Sequence, residues 1–461
     1  MAKQWVCLVC GYVHDGDGPP DECPVCEAGP DEFEEVAATP EPAEEAAPAA
    51  SVAADDYLSE WARPRDDFEA KYARIGELAR TGKSESSPMR TRQAFPEWDT
   101  ILFRGAQLAC MPVKDDQPVS TATVIGRSAA KPLAIGAPFY VSHMSFGALS
   151  REAKIALATG AARVDTAMCS GEGGMLPAER EAAKHWIYEL GTAPFSHVDD
   201  AIRQADAVEI KIGQAAKPGL GGHLPAEKVT EEIAAIRGIA PGEASVSPGR
   251  YTGLETASDL AAEVERIRGL VDGRPVGVKI TAGHVEADLD VVIACGADFV
   301  TIDCRGGGTG SGPTFVKDNV CLPPIFAIHR ARRHLDEQGS PMTLCVTGGF
   351  RDAADVAKAI AMGADAVAMA TASMIAIGCQ QYRVCHTGNC PVGIATQDAD
   401  LRARFSVEAS AERFVRWFGA TRREIAVLAG INGRADVHDL DVTDLVTLSH
   451  EVATYTDVEH A

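Results

Sequence analysis

Between about Ala134 and Ala372 the chain alternates short β-rich runs with amphipathic helical stretches, a rhythm that leaves few folds open. The runs are PFYVSH (138–143), VDTAMCS (164–170), AVEIKI (207–212), ASVSP (244–248), PVGVKI (275–280), FVTIDC (299–304), TLCVTG (343–348) and AVAMATA (366–372). Helical periodicity between them covers Ser150–Ala162, Ala226–Arg237, Glu255–Leu270, Glu286–Cys295, Val316–Leu335 and Asp352–Met362. Strands alternating with helices predict a parallel sheet in an α/β fold. We expect it to close into a (β/α)8 TIM barrel. No GxGxxG follows the first run, as it usually does in a Rossmann domain. Polar, glycine-rich sequence comes just after the strands, the end at which barrel active sites lie.

The 13 cysteines are the next constraint. Cys7, Cys10, Cys23 and Cys26 form two C-x2-C hairpins with twelve residues between them. Four thiolates so arranged make a tetrahedral all-sulfur site, which suits zinc as well as iron. Cys379, Cys385 and Cys390 form C-x5-C-x4-C followed by Pro391. Three thiolates cannot complete the four ligands of a cubane, so a three-iron cluster fits unless a distant cysteine supplies a fourth. The other six, Cys110, Cys169, Cys295, Cys304, Cys321 and Cys345, read as buried small apolar residues. In a reducing compartment, clustered cysteines point to metals or redox chemistry rather than disulfides.

Composition divides the chain and excludes partners. Residues 1–35 are a compact cysteine module. Residues 36–56 are nearly all Ala, Pro, Glu and Asp, and no Lys or Arg occurs from Glu34 to Asp56. That composition predicts a self-repelling, disordered linker. Residues 57–133 read as a helical and extended segment packed on the barrel, with periodicity from Asp55 to Arg80 broken near Pro64. The barrel itself is expected over 134–430, and a helical tail over 431–461. Val407–Ile431 and Asp436–Thr456 read as helices packed outside the barrel. The net charge of 43 − 66 = −23 speaks against a nucleic-acid or anionic-membrane binder. It leaves a small anionic substrate open, because a few local cations suffice. The most apolar stretch, Ala366 to Gly378, has 13 residues, short of the ~18–20 of a membrane span, and reads as a buried strand with its exit. No secretory h-region is visible at the N-terminus, so a cytoplasmic location is expected.

A specific resemblance now enters. GCQQYRVCHTGNCPVGIATQD (378–398) resembles the iron–sulfur segment of the glutamate synthase large subunit, where a [3Fe-4S] cluster sits beside FMN. SHMSFGALS (142–150) is similar to that family's flavin-side loop after the first strand, and SGEGG (170–174) to the next loop. IKIGQAAKPGLGGHLPAEKV (210–229), VGVKI (276–280), GGTGSGP (307–313) and VTGGFRDAADVAKAIAMGADAVAMATA (346–372) follow in family order. The resemblance covers about residues 90–430. In the first module, CxxCGY and CPxC resemble rubredoxin, whose single iron carries one electron, in the abbreviated form fused to redox enzymes.

What the resemblance implies is a set of expectations. FMN would lie on Met144, Ser145, Gly147, Gln214 and Gly308. Its phosphate would be cradled by Gly348-Gly349 and Ala370-Thr371, after the seventh and eighth strands. Lys279 would balance the negative charge of the reduced ring. The family's reaction condenses 2-oxoglutarate with ammonia to 2-iminoglutarate, which is then reduced to glutamate. Lys217 would bind a substrate carboxylate, Gln214 would contact flavin or substrate, and Glu172 would serve ammonia capture or proton transfer. A salt bridge between Lys217 and Glu172 that only shapes the pocket is the plainer alternative. Cys7, Cys10, Cys23 and Cys26 would hold a mononuclear iron, and Cys379, Cys385 and Cys390 the [3Fe-4S] cluster.

The chain also departs from the family. It reads SPGRYTG (247–253) where the family has a proline- and histidine-rich loop, and Arg250 there is a second candidate for a carboxylate. No glutaminase-type domain, β-helical domain or nicotinamide fingerprint is visible. Ammonia and electrons are therefore expected from outside or from separate glutaminase-type and electron-donor subunits, with the rubredoxin-like module as an electron door. Other readings are an N-methylglutamate synthase-type enzyme using an amine, and a non-enzymatic rubredoxin/flavin electron-transfer protein. A barrel dehydrogenase for 2-hydroxy acids, with His284 as its base, is a third, but it leaves the three-cysteine segment without a purpose.

Overall fold

The computed structural model describes residues 3–7, 13–22, 29–36, 61 and 63–461, in two compact units, 1–83 and 84–461. In the first unit, strand Lys3–Cys7 lies between Val13–Gly16 and Phe33–Val36 in an antiparallel sheet. Register sets Cys7 opposite Phe33, and both are buried. Cys10, Cys23, Cys26 and the linker over 37–56 lie outside the described residues. Among the described residues of the stretch from Asp55 to Arg80, the helix is Tyr72–Thr81, which stops at Gly82 in the left-handed region (φ 64°).

The second unit is a closed, all-parallel eight-stranded barrel. Its strands are β1 (Phe139–Val141), β2 (Ala167–Cys169), β3 (His185–Leu190), β4 (Ala207–Lys211), β5 (Val276–Thr281), β6 (Phe299–Asp303), β7 (Thr343–Thr347) and β8 (Ala366–Met369). β8 pairs with β1, Val367 opposite Phe139, which closes the ring. One expectation fails here. ASVSP (244–248) is not a barrel strand; Ser245–Val246 pairs with His223–Leu224 in a two-stranded sheet on the excursion between β4 and β5. The missing strand is β3, sequence HWIYEL.

Strand alternation divides the core. Val208, Ile210, Val278, Val300, Ile302, Leu344, Val346 and Val367 join the large apolar cluster with the surrounding helices. Tyr140, Cys169, Ile187, Ala207, Phe299, Cys345 and Ala368 form a separate cluster with Ile125, Leu133 and Ile135 of a hairpin, Thr123–Ile125 with Leu133–Ile135. Inner positions further along the strands turn polar: Glu189, Glu209, Lys279, Thr301 and Asp303 are all buried. The barrel interior thus runs from apolar to charged toward the carboxyl ends of its strands.

The helices are α1 (Arg151–Arg163), α2 (Glu231–Arg237), α3 (Ala257–Arg268), α4 (Val285–Ala294), α5 (Pro324–Glu337), α6 (Ala353–Ala361), α7 (Thr371–Ala376) and α8 (Val407–Ile431). The continuous helix expected over Val316–Leu335 is broken into Thr314–Lys317 and α5, because Pro323-Pro324 cannot continue a helix and Cys321 adopts φ 64°. The tail expected as helical carries 3-10 turns and one short helix, His450–Tyr455, and its strands Leu445–Thr447 and Glu459–His460 form a sheet with Ile101–Phe103. Four of the six scattered cysteines are buried as expected; Cys321 is half-buried and Cys110 is exposed. No helix among the described residues is long and apolar enough to cross a membrane.

Candidate active site

A cavity of about 200 Å³ opens at the carboxyl ends of the strands. The loops that shape it are anchored by a charge. Lys154 of α1 is wholly buried, with its Nζ 3.1 Å from Glu179 Oε2. That ammonium also donates to the carbonyls of Met144 (2.6 Å) and Ser170 (2.8 Å), which fixes the loops after β1 and β2 to one point. Glu179 in turn accepts from Trp186 Nε1 at 3.0 Å.

Strand register then delivers charges in pairs. Lys211 and Lys279 are direct neighbours on β4 and β5, and both reach the cavity. Each has its own carboxylate: Lys211 Nζ lies 2.7 Å from Glu172 Oε2, and Lys279 Nζ lies 3.0 Å from Glu189 Oε1. Lys211 also donates to Gln214 Oε1 at 2.7 Å. Burial acts to raise the Glu172 carboxyl, but Lys211 outweighs it and the group lies below its ordinary value. Burial likewise works against charged Glu189 and charged Lys279; His143 and Lys279 hold the Glu189 carboxyl low, Glu189 holds the Lys279 ammonium high, and both stay ionised. Gly222 permits the approach of its loop, since a Cβ there would sit 2.8 Å from Glu172 Oε1.

His143 sits beneath this pair. Its Nδ1 accepts the Gly171 N–H at 3.1 Å, and its Nε2 lies 3.0 Å from Glu209 Oε2. Asp303 lines the cavity with Oδ2 accepting from the Ala215 N–H at 3.1 Å, while its Oδ1 is buried with no partner among the described residues. Burial raises its pKa.

Three cations in the cavity stand apart: Lys228, which lies against Cys385, and Lys217 and Arg237. Lys217 and Arg237 are each 8% exposed, and among the described residues neither has a carboxylate within salt-bridge distance. Lys217 Nζ donates only to the Gly221 carbonyl, at 2.9 Å. Arg237 donates to Ser245 Oγ and to the Phe146 carbonyl, both at 2.9 Å, and lies 5.1 Å over the Phe195 ring. Its Nε is buried with no partner among the described residues. Burial lowers both groups, Arg237 to about 10, with Glu172 opposing. Buried cations that lack a counter-charge are costly unless a ligand supplies one.

The three-cysteine segment borders the same cavity, which Cys385 and His386 line. It is strapped to the barrel. Ser150 Oγ donates to the Gly393 carbonyl at 2.7 Å, and Gln397 Nε2 donates to the carbonyls of Gly147 (3.1 Å) and Leu149 (3.0 Å). Lys228 Nζ donates to the Cys385 carbonyl at 2.5 Å. Burial raises the Cys385 thiol to about 11, helped by Cys379 and Cys390 and opposed by Lys228, so the three sulfurs sense one another.

Of the residues singled out from sequence, the cavity gathers Met144, Ser145, Glu172, Gln214, Lys217, Lys279, Gly308, Ala370, Thr371 and Cys385. Gly147 lies behind it, against Leu224, and Cys379 and Cys390 do not line it. Gly348 and Gly349 also lie outside the lining; both have positive φ and pack against Cys304 and Gly306 of the loop after β6. Arg250 is a correction: its side chain is 83% exposed and 3.5 Å from Glu255, outside the cavity. His284 is the residue preceding α4 and is likewise outside. The partner of Glu172 is Lys211, not Lys217. Sequence reasoning passed over Lys211, His143, Asp303 and Arg237. Lys211 carries the signal that singled out Lys279, a lysine ending an apolar strand; Arg237 has none, since an arginine on an amphipathic helix reads as solvent-facing.

Comparison with known proteins agrees with the architecture. Residues 77–435 match the family described as the conserved region in glutamate synthase, and residues 5–34 match the rubrerythrin, rubredoxin-like domain. An archaeal-type glutamate synthase (NADPH) of Thermotoga neapolitana is 36% identical over 74% of this chain and 72% of its own. An archaeal glutamate synthase (NADPH) of Methanocaldococcus jannaschii is 40% identical over 67% of this chain, which spans 61% of that protein. A glutamate synthase large subunit-like protein of Rhizobium meliloti is 32% identical over 85% of this chain and 93% of its own. In fold, an oxidized active mutant of (S)-mandelate dehydrogenase superposes with a TM-score of 0.51 at 13% identity, over 76% of this chain and 88% of the other. A barrel whose charged mouth adjoins a three-cysteine strap, matched over 77–435, establishes that the chain belongs to the glutamate synthase family of oxidoreductases, with a rubredoxin-like domain at its N-terminus.

Proposed function

We propose that the protein reductively aminates 2-oxoglutarate to glutamate through 2-iminoglutarate, with FMN and a [3Fe-4S] cluster as cofactors and a mononuclear iron in the N-terminal module. The observation that carries this reading is that, of the three buried cavity cations with no carboxylate at salt-bridge distance among the described residues, Lys228 is turned to the Cys385 carbonyl while Lys217 and Arg237 remain for a ligand. A substrate with two carboxylates supplies the two missing counter-charges.

The cavity also suits a flavin. Asp303 offers an orphaned buried oxygen to a ring N–H, Lys279 is a fixed cation, and Ala370-Thr371 open α7 at the cavity wall. For the cluster, Cys379, Cys385 and Cys390 are a three-thiolate donor set beside the cavity, with Lys228 at hand to offset their charge. In the N-terminal module Cys7 is a buried thiol at a strand end. Bound there, these groups supply hydride and single-electron transfer, which no side chain provides.

The residues divide the remaining work. Lys217 and Arg237 hold the oxo acid by its two ends and expose its carbonyl carbon. Glu172, ionised and gripped by Lys211, accepts the proton that ammonium must lose before its nitrogen attacks that carbon. Loss of water gives the imine, a better hydride acceptor than the ketone. The relative of nearly equal length in Rhizobium meliloti is described as large subunit-like, which supports nitrogen and electrons arriving from separate subunits.

The test is anaerobic reoxidation of the reduced, FMN-loaded protein. 2-Oxoglutarate plus high ammonium should reoxidise it and yield glutamate, and either alone should do so much less. Lys217→Ala should raise the 2-oxoglutarate requirement by the equivalent of about 2–5 kcal/mol, with FMN content unchanged. If no 2-oxo acid with ammonium or methylamine reoxidises the flavin, the reading fails. If methylamine works far better than ammonium, the protein makes an N-substituted glutamate.

A further inference from the structure

A second cavity, of about 440 Å³, shares no lining residue with the first. Arg351, Arg413 and Arg416 surround it, and Ile375 and Trp417 form its wall. The arginines are poorly neutralised. Arg351 donates to the Phe350 carbonyl at 2.8 Å and Arg413 to the Ala376 carbonyl at 3.1 Å. Neither has a carboxylate within salt-bridge distance among the described residues. Arg416 has one, Glu412 at 3.8 Å, which Arg163 holds more closely at 2.9 Å. Burial lowers the Arg351 guanidinium and Arg90 adds to that, while the charges of Asp355 and Glu97 partly oppose it. Three such groups in a chain of net charge −23 are a local reversal of sign.

The wall has a different chemistry. Trp417 is half-buried, and its ring is set edge-on against Phe139 (5.8 Å) and Phe414 (5.4 Å), so its orientation is fixed before any ligand arrives. Ile375 beside it is 42% exposed. Guanidinium forks match phosphate oxygens bidentately, and an aromatic–aliphatic wall matches a planar ring. We propose that this cavity binds a nucleoside polyphosphate, with the phosphates on Arg351, Arg413 and Arg416 and the base against Trp417 and Ile375. The site goes beyond the proposed reaction and does not depend on it. It does touch the same machinery from behind: Arg351 follows Gly348-Gly349, and Ile375 lies on α7, whose first residue, Thr371, lines the active cavity.

The experiment is calorimetric titration of the full-length, FMN-loaded protein with ADP, inorganic pyrophosphate and adenosine as probes. ADP should bind saturably and at least about tenfold more tightly than either fragment, and more weakly as salt is raised. Arg413→Ala should weaken ADP about tenfold or more, the scale of a lost charge-assisted hydrogen bond. Arg413 is exposed on α8, which packs through Phe414 and Phe418, so the variant should keep its melting temperature and its FMN. Absence of ADP binding up to about 1 mM, a ΔG° weaker than about −4 kcal/mol, overturns the proposal. So does ADP binding unchanged in Arg413→Ala, and pyrophosphate binding as tight as ADP removes the ring from it.

Discussion

The two cysteine-bearing regions of this chain stand in opposite relation to the structure around them. In the N-terminal sheet the strands have five, four and four residues. So small a sheet buries too little apolar surface to order itself, and four thiolates closing on one metal would supply what the core does not. Near the other end, the segment over 379–398 is held to the barrel: Lys228 donates to the Cys385 carbonyl, Ser150 to the Gly393 carbonyl, and Gln397 of the segment to the Gly147 carbonyl. On the proposed cofactors, metal would organise the fold in the first region, and the fold would organise the cluster's donor set in the second.

The largest effect that would test this contrast is metal removal. Chelation, or Cys7→Ser, should abolish amide protection across the strands of residues 3–36. Structural tetrathiolate metals contribute on the order of 10 kcal/mol of linked folding free energy. The barrel's unfolding transition should not move. Strands that keep full protection without metal would break the comparison at its first half. Next in size is Lys154→Ala. It leaves Glu179 buried and unpaired and frees the loops after β1 and β2, at about 3–5 kcal/mol. Denaturant unfolding measures the loss, which should be the same with and without iron.

Protons, rather than metal, should tune the barrel. Burial together with Asp352 raises Asp355 to about 6. A carboxyl raised above its unfolded value favours the fold at low pH, and that contribution is lost as pH climbs through the folded value. Asp355→Asn should therefore gain stability relative to the parent between about pH 4 and pH 7, by roughly 1–3 kcal/mol. A flat difference across that range would show that the carboxyl is not strained. The smallest expected effect is the sharpest. Cys385→Ser should lose the three-iron spectroscopic signature, yet shift the barrel's melting temperature by no more than a few degrees, the mark of under about 1 kcal/mol. Collapse of the barrel on that substitution would put both regions in the same class.

Much of this organisation could be read in the sequence because it is local. Ligand spacing in C-x2-C and C-x5-C-x4-C is set by a handful of neighbouring residues, and strand–helix alternation by hydrophobic period. What escaped reading depends on partners far along the chain. β3 is hard to read because Glu189 interrupts an otherwise apolar run; its charge makes sense only once Lys279, on the next strand but one, reaches it. ASVSP has strand composition and does form a strand, but its partner is a two-residue segment in the same excursion, which no periodicity announces. The salt bridge given as the plainer alternative for Lys217 and Glu172 does not form; Lys211, at the end of β4, takes Glu172 instead. Arg237 reaches the cavity only because α2 folds back over the loop after β1.

The straps onto the β1 loop have a consequence in time. Ser150 and Gly147 leave the ribosome long before Gly393 and Gln397, the residues that hold them. β1 likewise waits for β8 before its edge is paired. At about 5–20 residues per second, the interval between Cys26 and Cys390 is roughly 20–70 s of synthesis. Iron could enter the first module while the chain is still nascent. The cluster proposed on Cys379, Cys385 and Cys390 would be loaded only after nearly the whole polypeptide exists. A cell short of iron would therefore accumulate full-length chains of two kinds, and the order of loading, not affinity alone, would decide which centre stays empty.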